Sequence, residues 1–287
     1  MGGIYWLASY PKSGNTWFRA VLANYLSESA QPVGINDLNT GAIASSRAWA
    51  DEVLGVDTAD LTQGEIDTLR PEIYRWTVSE KPDLVRYHKI HDAYSRRPDG
   101  TPLVDRHATL GAIYILRNPL DIAPSLAHHD GVDLDLAINH MADPLHCLAQ
   151  SKTKIPRQLL QRIGSWSEHV ESWVDAVDIR IKILRYEDMK SDPFGTFGSA
   201  FDFMRLPAQP RKLTSAINAC SFDKLAAQEK TDGFIDRPVK NKKFFRKGIV
   251  GDWRNSLSAP QIARVIQNHS TTMRRFGYLD DQDNPLI

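Results

Sequence analysis

The residues best suited to chemistry stand near the start of the 287-residue chain, in the run Tyr5-Trp6-Leu7-Ala8-Ser9-Tyr10-Pro11-Lys12-Ser13-Gly14-Asn15-Thr16-Trp17-Phe18-Arg19. An apolar strand leads into a loop of small residues carrying one lysine, and the loop opens an amphipathic helix. That order aims backbone N–H groups, the positive end of a helix and an ammonium at one point. Lys12, Ser13, Gly14, Asn15 and Thr16 are therefore a candidate site for a phosphate-like anion. The nucleoside-triphosphatase loop has the spacing G-x-x-x-x-G-K-S/T, with its lysine after the second glycine. Here Lys12 precedes a single glycine, which argues against an ordinary ATPase or GTPase.

Three further stretches carry reactive or anion-binding side chains. The strand pattern Leu84-Val85-Arg86-Tyr87-His88-Lys89 runs into Ile90-His91. If the extended geometry continues, Lys89 and His91 project from one face and His88 from the other, so the two histidines make poor metal partners. Histidine titrates near neutrality and can accept a proton from an alcohol or phenol as its oxygen attacks. Next, Ile113-Tyr114-Ile115-Leu116 delivers Arg117 at the end of an apolar run. Asn118 can cap the following helix, with Pro119 at its first position, and Ser125 lies further along it. Pro124 lacks an N–H and costs a helical hydrogen bond if the helix already runs through it. Finally, Phe244-Phe245-Arg246-Lys247-Gly248-Ile249-Val250-Gly251-Asp252-Trp253-Arg254-Asn255, preceded by Lys240, Lys242 and Lys243, is a local basic stretch interleaved with aromatics and glycines. Arginine offers a planar fork and lysine a point charge, a suitable mixture for a dianion.

Taken in order, these stretches resemble the sulfotransferases that use 3′-phosphoadenosine 5′-phosphosulfate, PAPS. Tyr-Pro-Lys-Ser-Gly-Asn-Thr-Trp is similar to the family's Y-P-K-S-G-T-T-W, with Asn15 the one departure. Lys89-x-His91 resembles its K-T-H, Arg117 to Ser125 its R-N-P-x-D-x-x-x-S, and Arg246 to Asn255 its R-K-G-x-x-G-D-W-K-N. Shorter echoes are Tyr186-Glu187-Asp188-Met189-Lys190, like Y-E-D-M-K, and Cys220-Ser221-Phe222, like T-S-F.

The resemblance implies that Lys12, Ser13, Gly14, Asn15, Thr16 and Trp17 hold the 5′-phosphosulfate end of PAPS. It implies that His91 is the general base, with Lys12 and Lys89 at the transferred group. It gives Arg117, Ser125, Arg246, Lys247 and the Gly248 N–H to the 3′-phosphate, and Tyr186, Ser221 and Phe222 to the nucleoside. Trp17 and Phe222 offer aromatic faces on which adenine can stack. PAPS is then a co-substrate and no metal is implied. The acceptor is a small molecule with a hydroxyl or, less favoured, an amine. A P-loop-like small-molecule kinase would need Mg²⁺ and ATP, and the missing G-K-S/T counts against it. A non-catalytic module sensing the bisphosphate would keep the phosphate loops without needing His91. The family's dimerisation motif, K-x-x-x-T-V-x-x-x-E, has no match near Arg254 to Ala263, so no oligomeric state is carried over.

The elements that position these residues alternate. Ile4 to Ser9, Leu84 to Lys89, Ala112 to Leu116 and Ile179 to Leu184 are short apolar runs of the kind found in buried parallel strands. Between them lie helical spacings, such as Trp166, Val170, Trp173, Val174 and Val177. Near the chain's end Ser258, Pro260, Ile262, Val265, Ile266 and Gly277 mark a capped amphipathic helix. The fold class expected is α/β, a three-layer α/β/α arrangement with a central mostly parallel sheet and a P-loop-like nucleotide core. One domain over 1–287 is expected. Insertions at about 30–81 and 130–157, where periodicity is weak, would wall the acceptor site beyond the strand ends.

Composition bounds the partners. Lys+Arg and Asp+Glu are both 35, so no global field favours nucleic acid or an anionic membrane. The two cysteines, Cys147 and Cys220, stand in no metal-binding or disulfide spacing, which fits a reduced compartment. No run of apolar residues reads as a leader or a membrane span, and a cytoplasmic protein is expected.

Overall fold

The computed structural model describes residues 2–29, 31–97, 99–151, 153–238 and 243–287. In chain order the elements are β1 (Gly3–Ser9), α1 (Asn15–Leu26), α2 (Arg47–Leu54), a 3-10 turn at Thr58–Asp60, α3 (Gln63–Glu80), β2 (Val85–Ile90) and β3 (Thr109–Leu116). There follow α4 (Pro119–Asp130), α5 (Leu134–Ala142), β4 (Cys147–Leu148), β5 (Gln161–Arg162), α6 (Trp166–Val174) and β6 (Ile181–Arg185). The remainder is helical: α7 (Tyr186–Ser191), α8 (Pro193–Phe203), α9 (Pro210–Ala219), α10 (Phe222–Asp232), α11 (Trp253–Ser256) and α12 (Ala259–Arg275). The four strands expected from the apolar runs all form, in one sheet of order β2-β1-β3-β6, while β4 and β5 make a separate small ladder. The class is the expected α/β, with a central parallel sheet flanked by helices.

The chain divides into two compact units. The first comprises Met1–Tyr10, Gly41–Tyr114 and Pro144–Ile183, and the second Pro11–Thr40, Ile115–Asp143 and Leu184–Ile287. In the first unit every residue of β1 is buried, as its unbroken apolar run requires. It pairs in parallel with β2 in the register Tyr5↔Tyr87, Trp6↔His88, Leu7↔Lys89. Trp6 packs edge-on against Tyr74 of α3, with ring centroids 4.8 Å apart. In α6, capped by Ser165 and Glu168, Trp166, Val170 and Trp173 point inward. Val177 does not share that face. The helix stops at Val174, and Val177 is 94 % exposed.

The two segments of weak periodicity hold helices of their own. The first contains α2 and α3, and the second α5. The signal for α3 is local: Glu65 accepts from the Thr62 N–H at 2.8 Å and the Glu65 N–H returns to Thr62 Oγ1 at 3.3 Å, a capping box. Pro71, buried in mid-helix, breaks the pattern that would otherwise announce it.

In the second unit Phe18 of α1 stacks on Phe197 of α8 at 5.6 Å, and α12 packs on α4 and α5. As expected, Ser258 begins α12, its N–H bonding Gln261 at 3.0 Å, and Gly277 ends it at φ 70°. The deepest stripe of α12 runs through Val265, His269, Thr272 and Met273, with Ile262 and Ile266 half-buried beside it.

Candidate active site

The lysine loop, residues 11–16, opens the second unit. Lys12 takes φ 71° and Gly14 φ 101°. A Cβ on Gly14 would lie 2.6 Å from Cδ2 of Tyr186, so close packing as well as backbone angle demands glycine there. Gly14 is the N-cap of α1 and supplies no side chain to its first turn. The amides that end presents, and its positive dipole, suit an anion. Ser13 is fully buried, and its Oγ has no hydrogen-bond partner among the described residues. Asn15 and Thr16 are buried in the first turn. The Lys12 ammonium lies 4.2 Å from the centroid of the Phe244 ring and 3.3 Å from Nδ1 of His129.

Arg117, at the carboxyl end of β3, ties this loop to the glycine-rich segment. Its Nη1 donates to the Lys12 carbonyl at 3.0 Å and its Nη2 to the Ile249 carbonyl at 3.2 Å. The guanidinium lies 4.3 Å over the Tyr186 ring, and its Nε is buried with no partner among the described residues. Asn118 caps α4 through Leu120 N–H at 3.0 Å, and Pro119 occupies the first turn, as expected. Asp121, fully buried, accepts from Gly251 N–H at 2.7 Å and Trp253 N–H at 3.0 Å, pinning the far end of the segment.

Within that segment Gly248 has φ 64°, and a Cβ there would fall 2.2 Å from Cδ2 of Phe222. Arg246 and Lys247 both donate to Asp252, each at 2.6 Å. Burial pushes the Asp252 carboxyl up, but the hydrogen bonds from Lys247 and Arg246 outweigh it and hold its pKa below the usual carboxylate value. Lys240 and Lys242 lie outside the described residues. Helix α4 runs through Pro124, so Ser125 is helical and half-buried, and among the described residues no hydrogen bond joins it to Arg117.

Aromatic residues surround the loop. Trp17 meets Tyr186 edge-on at 6.0 Å and Phe197 at 5.4 Å, with the Lys190 ammonium 5.5 Å over its ring. Burial raises the Tyr186 phenol, which stays neutral. Phe222 begins α10 directly after Ser221 and meets Phe245 at 6.3 Å. The second unit thus brings together Lys12, Gly14, Trp17, Arg117, Tyr186 and the 246–253 segment.

The histidine motif belongs to the first unit. His91 follows β2, and its Nδ1–H donates to the Ser9 carbonyl at 2.8 Å. This tautomer places the lone pair on Nε2, the form required of a base. The His91 carbonyl accepts from His169 Nε2 at 2.9 Å, and His169 Nδ1 accepts from the Tyr114 hydroxyl at 2.9 Å. Burial lowers His169 to about 4, so it holds this bond as a neutral ring. The next residue, Asp92, forms a buried two-bond pair with Arg70 of α3, at 2.8 and 2.9 Å. His88 is directed elsewhere: it stacks on Trp49 at 4.3 Å, bonds the Ala42 carbonyl at 2.8 Å, and is lowered by burial to about 4. Lys89 is half-buried near the end of β2, its carbonyl held by Ala44 N–H at 2.8 Å. Among the described residues no group of three or more His, Cys, Asp or Glu side chains fits a metal ion.

Sequence reasoning misses Arg70, Asp92, Asp121 and His169, and it places His129 in a wall segment of the acceptor site, not beside the Lys12 ammonium. Asp121 stands in the R-N-P-x-D string and was legible there. Arg70 and His169 have no local signal, since they meet the His91 segment only through the fold.

A sulfotransferase domain model matches residues 4–277, and the chain belongs to the sulfotransferase family. It is an enzyme of that class. It is 25 % identical over 274 residues to flavonol 3-sulfotransferase of Flaveria bidentis, covering 90 % of this chain and 78 % of that protein. It is 30 % identical over 259 residues to sulfotransferase 2A2 of Mus musculus, covering 89 % and 79 %. In fold it is similar to the crystal structure of retinol dehydratase in a complex with retinol and PAP, with a TM-score of 0.62 at 18 % identity, covering 94 % of this chain and 81 % of that one.

Proposed function

We propose that this enzyme moves the sulfuryl group of PAPS to a hydroxyl of a small-molecule acceptor and releases adenosine 3′,5′-bisphosphate. The observation that carries the reading is Arg117. One buried guanidinium holds the carbonyls of both candidate phosphate segments, at Lys12 and Ile249, and keeps Nε in reserve. The relatives whose names mention a flavonol or retinol support a small hydroxylated acceptor.

In this reading the acceptor oxygen forms a bond to sulfur as the bond from sulfur to the bridging phosphate oxygen breaks. The proton passes to His91 Nε2. Lys12 offsets the charge developing on the bridging oxygen, and Lys89 that on the sulfuryl oxygens, so catalysis is positioning and charge stabilisation. Ser13, Asn15, Thr16 and the loop amides hold the 5′-phosphate. Arg117, Ser125, Arg246, Lys247 and the Gly248 N–H hold the 3′-phosphate, the two cations turning from Asp252 to the dianion. Trp17, Tyr186, Ser221 and Phe222 receive the nucleoside. We also propose that the chain acts as one domain, that residues 30–81 and 130–157 wall the acceptor, and that the enzyme works in the cytoplasm, as the cysteine usage supports.

Incubation with PAPS and a panel of phenols, sterols and sugars, read by mass spectrometry, tests transfer through products heavier by one sulfuryl group. Calorimetry with adenosine 3′,5′-bisphosphate and adenosine 5′-phosphate tests the donor site. Charged hydrogen bonds are worth roughly 1.5 to 3 kcal/mol each and do not add fully, so a net preference of about 3 to 6 kcal/mol for the bisphosphate is expected, about two to four decades. Equal affinities would remove the 3′-phosphate site and the reading with it. Protection by ATP only with Mg²⁺ would favour a kinase instead.

A further inference from the structure

Residues 278–287 follow the stretch that the sulfotransferase model matches, yet they touch three of the motif turns. Tyr278, fully buried, donates its hydroxyl to Glu187 Oε2 at 2.9 Å, and Glu187 Oε1 accepts from the Asn118 N–H at 3.0 Å. The chain then reverses over 280–284. Asp280 Oδ1 accepts from the N–H groups of Gln282 at 2.9 Å and Asn284 at 2.8 Å, and Asp280 N–H bonds the Asn284 carbonyl at 3.0 Å. Leu286 N–H returns to the Tyr278 carbonyl at 3.0 Å, and Leu279 bridges Pro285. The Ile287 main-chain oxygen thereby accepts from Asn118 Nδ2 at 3.2 Å and Trp253 Nε1 at 3.0 Å.

These partners are not ordinary surface groups. Asn118 follows Arg117 and caps α4, Glu187 follows Tyr186, and Trp253 follows Asp252 and bonds Asp121. Arg117 and Tyr186 are assigned to the donor, and Asp252 pairs with Arg246 and Lys247, which are. Asn118 and Glu187 are also almost wholly buried, so a bond withdrawn there is not replaced by water without rearrangement.

We infer that residues 278–287 form a hairpin strap that positions the donor-binding turns, holding the Arg117, Tyr186 and Asp252 segments in register from behind. Its residues act through those turns and do not touch the donor. The inference rests on the reading that these turns bind PAPS.

The test compares bisphosphate binding, Michaelis constants and unliganded thermal stability in the full chain, in a chain stopped after Asp283, and in Asp280→Ala, which loosens the reversal without opening the core. Trp253→Phe is made in each background. Stopping after Asp283 is expected to weaken bisphosphate binding about tenfold, about 1.4 kcal/mol. It should raise the Michaelis constant for PAPS in parallel and leave that of the acceptor within twofold. Asp280→Ala is expected to cost about threefold. Trp253→Phe should cost several-fold in the full chain and less than twofold where the strap is cut, because both changes remove one bond. Should the shortened chain not fold, the Asp280→Ala and Trp253→Phe cycle decides by the same non-additivity. Binding within twofold of the full chain in the strap variants, or fully additive costs with Trp253→Phe, would overturn the strap and leave the donor reading standing. A full chain without affinity for the bisphosphate would overturn both.

Discussion

Arg117→Lys is the most searching perturbation of the donor site. The substitution keeps the charge and removes the fork. In the structure one guanidinium reaches the Lys12 and Ile249 carbonyls at 3.0 and 3.2 Å while stacking 4.3 Å over Tyr186. A lysine ammonium has the reach for one carbonyl but not the planar geometry for both together with the ring. One charged hydrogen bond is then lost, worth roughly 1.5 to 3 kcal/mol, and a partly buried cation–π contact contributes about 1 kcal/mol more. Water can reach part of the vacated space, so the net cost is expected near the lower end, about 2 to 3 kcal/mol. Because the proposed function gives Arg117 two parts, bracing the loops and offering Nε to the 3′-phosphate, the cost should divide between two measurements. Urea unfolding without ligand should lose about 1 kcal/mol, and calorimetric affinity for adenosine 3′,5′-bisphosphate should fall about five- to thirtyfold. Affinity for adenosine 5′-phosphate should fall much less. A variant with the full loss of unliganded stability but bisphosphate affinity within threefold of wild type would refute the assignment, showing Arg117 to be a brace with no part in the phosphate site.

Other expectations follow from the same geometry. Gly248→Ala places a methyl group on the Phe222 ring at a left-handed backbone position, and should raise the bisphosphate dissociation constant more than tenfold while the acceptor's Michaelis constant holds; unchanged binding in calorimetry would count against the Gly248 N–H as a ligand. His91→Ala should lower turnover about 10²- to 10⁴-fold and leave bisphosphate affinity within threefold; more than half of wild-type turnover at saturating substrates would dismiss His91 as the base. Acid should destabilise the fold through His88, His169 and His269, each lowered by burial to about 4. They stay neutral when folded and bind protons when unfolded, so their contribution is complete above about pH 6.5 and is lost as pH falls towards 4, by up to about 1.4 kcal/mol per pH unit for each ring. Denaturant midpoints that stay flat from pH 6.5 to 4.5 would show these rings to be solvated.

Much of the fold and site was legible because the relevant physics is local. Apolar runs named all four strands of the main sheet. Asn118 with Pro119, and Ser258 with Gly277, marked helix ends that form where their capping chemistry places them. The order of small residues around Lys12 announced a loop opening a helix, and strand alternation separated His88 from His91. Local signals also failed in traceable ways. Pro71 disguised α3 although Thr62 and Glu65 cap it, and Val177 matched a helical spacing but lies beyond the end of α6. What no spacing could reveal are the bonds made across long stretches of chain: Arg70 to Asp92 beside His91, Arg117 to the Ile249 carbonyl, Asp121 to Gly251 and Trp253, and residues 278–287 to Asn118 and Glu187. Sequence determined the residue types and the element each begins or ends, since caps, turns and periodicity act within a few residues. Tertiary structure alone decided which buried donors and acceptors meet, because each must find a partner once water is excluded, and topology selects that partner.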